Sequence, residues 1–454
     1  MLVTAAFIGP GTVLSASKAG AIYGFSLLWA VVFSVIAAIV LQEMSARLGI
    51  VTGSGLAQAV KGSFQTTWLK VSILGLILVG ILAGNAAFQT GNILGAAAGA
   101  AVLTDSMVDR PSEDHANSSM EVGNSSPTIP GVEKPASMSL TVWIYIMGGI
   151  AWLLILSGKF ELLQNVLTVM VVLMSVLFMF AAGLSQPDWL AIAGGLVPQI
   201  PAGSGWFIVA LIGTTVVPYN LFLHASAAAQ RWPAESVCKT INKERAVKDS
   251  RRDTIVAVSI GGLVTAAILI TAAMAFHVDR PAAKAPNWVG VADVAKQLEP
   301  ALGACAKWLF GAGLCAAGLT SAITAPIAAA YTAAGCFGWS DKLSDWRLRG
   351  VASLVLLTGV GCAIGFGGSP HETILMAQAA NGLLLPIIAV FLLIVMNRVN
   401  LMFRFRNSAV QNVLGFTVVV LVTLIAARQL GLVFQDIQKR LHGPVASKIA
   451  DNHP

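Results

Sequence analysis

The strongest constraint on this chain is a succession of apolar runs, each long enough to cross a bilayer, separated by polar connections. A spanning helix needs about 20 predominantly apolar residues, and in lipid its backbone polar groups must be satisfied within the segment itself. Only 11% of the residues are charged and 56% are hydrophobic, whereas soluble domains carry roughly a quarter charged. The chain is therefore read as an all-α polytopic membrane protein. Spans are placed near residues 1–22, 25–48, 72–103, 139–157, 161–184, 206–230, 254–277, 302–334, 350–366, 373–397 and 409–427.

The net charge of +7 does not point to nucleic acid, because the basic residues gather in alternate loops, as membrane topology requires. Most of the 28 Lys and Arg fall in loops assigned to one side, including the run from Arg231 to Arg252. That bias places the N-terminus in the cytoplasm and the C-terminus outside. The first apolar run has no basic flank of the kind that marks a cleavable signal. Residues 104–138, rich in Ser, Asp, Glu, Pro and Asn, read as a flexible external loop, with Asn-Ser-Ser triplets at Asn117 and Asn124. Residues 231–253 read as a short basic surface helix beside the headgroups that sets topology. Cys238, Cys305, Cys315, Cys336 and Cys362 form no CxxC and read as small buried hydrophobes. Glu43 and Glu161 are placed at cytoplasmic helix ends.

Two spans are interrupted. The first runs into Gly9-Pro10-Gly11-Thr12, and the sixth contains Val217-Pro218-Tyr219-Asn220. Proline removes a donor and clashes with the preceding turn, and breaks at matching positions of two halves point to a transporter's central site. The first and sixth spans would each head a five-helix unit of opposite orientation. The units are placed at 1–184 and 185–397, with an eleventh helix and tail at 398–454.

Here a family resemblance becomes visible. The stretches YGFSLLWAVVFSVIAAIVLQEMSARLGIVTG (23–53), PDWLAIAGGLVPQIPAGSG (187–205), GTTVVPYNLFLHAS (213–226) and LMAQAANGLLLPIIAVFLL (375–393) resemble the Nramp (natural resistance-associated macrophage protein) metal-ion transporters over nearly the whole chain. The resemblance implies a LeuT-like fold of two inverted five-helix repeats plus an eleventh helix, and alternating access around a midplane site.

The same comparison departs at the chemistry. Where the family carries Asp-Pro-Gly-Asn, this chain has Gly9 and Thr12 in place of the Asp and Asn. Where the family has Met-Pro-His-Asn, Val217 and Tyr219 replace Met and His. An acidic pair on the family's third helix, linked to proton movement, aligns with Gln89 and Asn92. His224 and the tenth-helix Gln378 are retained. A divalent ion stripped of water needs charged or strongly donating ligands, and neutral oxygens rarely hold one without a carboxylate. Proton coupling by the family's route is expected to be weak or absent.

The groups left near the breaks define the candidate site. Gly9 and Gly11 allow close approach of a ligand to the backbone at a positive helix end. Thr12 either meets a ligand or bonds back to the preceding turn. Tyr219 either offers an aromatic face to an ammonium or packs as an ordinary aromatic. Asn220 caps freed backbone. Gln378 and Asn381, three apart on one helix face, meet substrate or a neighbouring helix. Asn85, Gln89 and Asn92 form a polar stripe read as interhelical glue, and His224 is a candidate for protonation or gating.

These substitutions favour a small polar organic solute, zwitterionic or carboxylate-bearing. The alternative is a divalent ion (Mn, Fe or Mg) that keeps part of its water, and a third reading is a non-transporting sensor or scaffold. No HExxH, nucleophile elbow or intramembrane carboxylate pair supports an enzyme. No cofactor, resident metal or nucleic acid is expected. The setting is a bacterial inner membrane, and the chain is expected to act as a monomer.

Overall fold

The computed structural model describes residues 8–105, 139–158, 161–232, 240–277, 291–340, 342, 344–366 and 369–442. The Asn-Ser-Ser triplets, Cys238 and most of the 104–138 connection lie outside the described residues, as does the side chain of Glu161. Among the described residues the fold is helical, without strands.

The main helices are α1 (Pro10–Tyr23), α2 (Leu28–Thr52), α3 (Leu56–Ser63), α4 (Thr67–Asp105), α5 (Leu140–Ser157), α6 (Glu161–Leu184), α7 (Trp189–Gly195) and α8 (Gly205–Thr215). They are followed by α9 (Pro218–Arg231), α10 (Thr240–Phe276), α11 (Cys305–Phe337), α12 (Trp346–Phe366), α13 (Pro370–Met396) and α14 (Ala409–His442). Counting α8 and α9 together, ten segments among the described residues are long and apolar enough to cross a membrane. Helix α1, with 14 residues, is the described part of the first predicted span.

Both interruptions have the same local cause. Gly9 is extended (φ −96°, ψ 173°) and Pro10 opens α1; Val217 is extended (φ −74°, ψ 123°) and Pro218 opens α9. Proline disfavours the helical region for the residue before it. At a first helical position its missing N–H costs nothing, because that donor has no partner there.

One boundary differs from the sequence reading. Residues 240–253 are the first turns of α10, which runs unbroken for 37 residues, not a separate surface helix. The stretch TINKERAVKDSRRD contains neither Gly nor Pro, so nothing stops the span from extending into the polar region.

The packing exchanges the two halves. Helix α1 lies on α10 and α9 lies on α2, while α4 crosses α11. At the first two crossings a glycine lets backbones touch. A Cβ on Gly20 would overlap the Leu269 carbonyl, and one on Gly49 would overlap that of Ala225, each with an alanine Cβ 3.1 Å away. The α4–α11 crossing is likewise built on small residues, with Gly99 against Gly311 and Cys315, and Gly318 against Ala96. Small residues are how helices associate where lipid removes the hydrophobic driving force. Helix α14 packs on α13. Exposed Val166, Val169, Leu173 and Val176 on α6 form a helical stripe suited to lipid.

Two further expectations need correction. Among the four described cysteines only Cys336 is buried; Cys305 is exposed, and Cys315 and Cys362 are half-buried, because helix faces turned to lipid accommodate a small apolar side chain as well as the core does. Glu43 does not sit at a helix end. It is buried within α2 and paired to Arg47 at 3.2 Å. Arg47 also donates to the Phe405 carbonyl (2.9 Å) and to Asn407 Oδ1 (2.7 Å). A buried charge persists only when paired and hydrogen-bonded, and this one joins α2 to the connection between α13 and α14.

Candidate functional site

The start of α1, the α8–α9 break and the middles of α4, α11 and α13 converge. Thr12 Oγ1 lies 2.8 Å from Thr214 Oγ1, so the two interrupted helices are joined by a buried hydroxyl pair. A Cβ on Gly11 would overlap the Gln378 amide, which places that side chain directly against the first break. Gly213 in α8 meets the backbone of Gln378 and Gly382 in α13, and Gly9 faces Ser321 of α11.

The polar stripe on α4 is tied to its neighbours. Gln89 Nε2 donates to the Ala322 carbonyl of α11 (3.0 Å), and Asn92 Nδ2 donates to Gln89 Oε1 (3.3 Å). Asn381 of α13 lies beside Gly84 of α4. Tyr219 packs edge-to-face with Phe88, ring centres 5.3 Å apart, in an apolar cluster with Val217, Ala325 and Ala328. Its ring is covered by side chains, so the open aromatic face considered for an ammonium is not present in this arrangement. Asn220 does not cap α9 either, since the cap is Val217 and no side chain serves it. His224 lies one turn further along α9, with Nδ1 buried and unpartnered.

A group of buried polar atoms here makes no hydrogen bond. Both side-chain atoms of Asn220 and of Gln378, Nδ2 of Asn381 and of Asn85, Oδ1 of Asn92 and Oγ of Ser15 are all unpartnered. Leaving such a group buried and unmade costs about 1–3 kcal/mol, and in a native fold each one calls for a ligand, a water or a strained purpose. Their chemistry is neutral. Among the described residues Glu43 is the only buried carboxylate, and it is held by Arg47. No group of three or more His, Cys, Asp or Glu suited to a metal occurs among the described residues. The arrangement offers amide and hydroxyl oxygens, amide donors and the positive end of α1.

The sequence reading did not single out Thr214 or Ser321. Hydroxyls in apolar helices usually bond back to the preceding turn, as Thr215 does to Leu211 and Thr320 to Ala316. The available signal was position: Thr214 lies four residues before Pro218.

Comparison with known proteins places this architecture. The chain matches the family model for natural resistance-associated macrophage protein-like (Nramp) proteins over residues 1–109 and 115–431. It is 31% identical to the divalent metal cation transporter MntH of Ralstonia nicotianae, covering 96% of this chain and 89% of that protein. It is 29% identical to the divalent metal cation transporter MntH 1 of Pseudomonas aeruginosa, over 79% and 74% of the two chains. Its fold is similar to the crystal structure of the manganese transporter of Eremococcus coleocola in complex with an aromatic bis-isothiourea substituted compound. That match has a TM-score of 0.70 at 23% identity, over 98% of this chain and 87% of that one.

Proposed function

The chain belongs to the Nramp family of membrane transporters, and from that premise we propose that it carries a divalent metal cation by alternating access. The ion keeps part of its water while neutral oxygens hold it between the two helix breaks. This reading reverses the order of the two solutes drawn from the sequence. The relatives' names support it, and the observation that carries it here is the group of unpartnered buried amides, Asn220 and Gln378 foremost. Without a carboxylate the site cannot repay full dehydration of a dication. Amide oxygens can receive hydrogen bonds from bound waters or replace one or two of them, the mode suited to ions that dehydrate reluctantly. The Thr12–Thr214 pair couples the two broken helices, so rearrangement of one is transmitted to the other.

A small zwitterionic or carboxylate-bearing solute is the second reading. It is favoured by the absence of any free buried carboxylate among the described residues, which leaves the N-terminal end of α1 to attract an anionic group. The setting is a bacterial inner membrane, and uptake proceeds without the family's acidic proton relay.

Proteoliposome uptake decides between them. Saturable Mn2+ or Mg2+ uptake that falls at least tenfold in Gln378→Ala is expected. Saturable uptake of an amino acid or betaine, with no divalent flux, would establish the second reading. No flux of either would return the chain to the sensor or scaffold class.

A further inference from the structure

On the membrane-facing side of the fold, away from the two breaks, lies a trough of about 850 Å³. It runs between α2, the segment leading into α8, and α14. Its walls are apolar, with Val32, Ile36, Leu196 and Leu424 exposed along them. Its volume lies within the range of cavities that hold organic ligands.

The trough has a polar mouth at one membrane face. Trp29 stands at the beginning of α2, Gly205 begins α8, and Arg428 comes three residues before the end of the apolar segment Ala409–Gly431. From Trp29 to Ile36 the trough reaches about 10 Å into the hydrocarbon, at 1.5 Å per residue. Trp29 Nε1 donates to the Gln199 carbonyl at 2.8 Å, which fixes the indole at the rim. Aromatic rings of this kind sit at headgroup level.

Two side chains at the mouth are unengaged. Arg428 lines the trough, is exposed and has no ion-pair partner among the described residues. Gln429, its neighbour, lines the same trough, packs its Oε1 against Gly205 and makes no hydrogen bond among the described residues. An amide without a hydrogen-bond partner, beside a guanidinium without a carboxylate, above an apolar slot, matches one amphiphile. The guanidinium fork suits a phosphate oxygen pair, the amide suits the ester region below it, and the slot suits an acyl chain.

We propose that this trough is a binding site for an anionic phospholipid, with the phosphate at Arg428 and one acyl chain between α2 and α14. The occupant touches the segment that enters the first half of the broken sixth helix. Lipid bound there therefore bears on the helix that carries Thr214 and Gly213, and links headgroup composition to transport. A free inorganic anion would leave the apolar slot unfilled, and a second copy of the chain, sharing the same Arg428, would bring a like charge to the guanidinium.

The test is native mass spectrometry of the full chain released from micelles holding equimolar phosphatidylglycerol and phosphatidylcholine. The expected result is retention of one phosphatidylglycerol per chain, at least fivefold over phosphatidylcholine. Arg428→Gln, at an exposed position, reduces that preference below twofold without lowering the unfolding temperature. Leu424→Trp, which fills the slot, removes retained lipid of both kinds. Equal retention of the two lipids overturns the proposal, as does a preference unchanged in Arg428→Gln. So does lipid still held by Leu424→Trp, or a dimer mass in place of a lipid adduct.

Discussion

Gln378 lies between two glycines, and the same substitution at each has opposite consequences. At Gly213 an added Cβ would overlap the Gln378 carbonyl and stand 2.5 Å from the Gly382 backbone nitrogen. Both groups are main chain of α13, so neither can rotate away. Helices α8 and α13 must part by about half an ångström or more, against the 3.0 Å that real Cβ contacts respect. Overpacking of this kind costs about 1–3 kcal/mol. At roughly 2–4 °C per kcal/mol for domains of 150–250 residues, and less for a longer chain, Gly213→Ala lowers the unfolding temperature by a few degrees. At Gly11 the three atoms nearest the added Cβ are all side-chain atoms of Gln378, the amide and Cγ at 2.8 Å. A χ rotation relieves that overlap for about 0.5–1.5 kcal/mol, but it swings the amide out of the first break. Gly11→Ala therefore unfolds within about 2 °C of the parent, by the same scale, and loses at least tenfold in uptake. Fluorescence-detected unfolding in detergent and Mn2+ uptake into proteoliposomes measure the two effects. If Gly11→Ala is as unstable as Gly213→Ala, or transports normally, then Gln378 is not where the reasoning requires it.

Three other outcomes are expected. Arg47→Met leaves Glu43 buried without its partner and should lower stability by about 3–5 kcal/mol; adding Glu43→Gln should recover about 1 kcal/mol or more, and chemical unfolding of both variants would refute the clamp if the effects simply add. Tyr219→Phe keeps the edge-to-face contact with Phe88 and should transport within about twofold of the parent, whereas Tyr219→Ala opens a core cavity costing about 3–5 kcal/mol; matched uptake and unfolding curves separate the two. With Gln89 and Asn92 in place of an acidic pair, Mn2+ uptake should not acidify the lumen, and a stoichiometric proton signal from a trapped pH dye would overturn that expectation.

Much of the site was readable as position but not as contact. Pro10 and Pro218 mark both breaks in any sequence-level reading, because proline's effect on the residue before it is local. Thr12 was left between a ligand and a back-bond, and the structure sets its hydroxyl against that of Thr214, 202 residues away. Tyr219 was left between an open ring and a packed one, and Phe88 of α4 decides it by lying across the edge. Asn220 looked like a cap for freed backbone, yet the start of α9 has no side-chain cap and the amide bonds to nothing.

The sequence by itself determined that this chain lies in a membrane, that its helices number about eleven, and that two of them are interrupted. Hydrophobic run length and proline act within a few residues, so no tertiary information is needed to read them. The family's motif positions, and the loss of acid and thioether at them, were equally visible in the letters. Only the tertiary structure decided that the Glu43–Arg47 pair is tied to Phe405 and Asn407, that Gln378 lies against Gly11, and that a lipid-sized trough between α2 and α14 ends at Arg428 and Gln429. Each joins segments far apart in the chain. In a bundle of near-uniformly apolar helices, periodicity does not reveal which face meets which partner. That choice rests on glycines where backbones touch, as at Gly20, Gly49 and Gly213, and a glycine's neighbours are known only once the helices are packed.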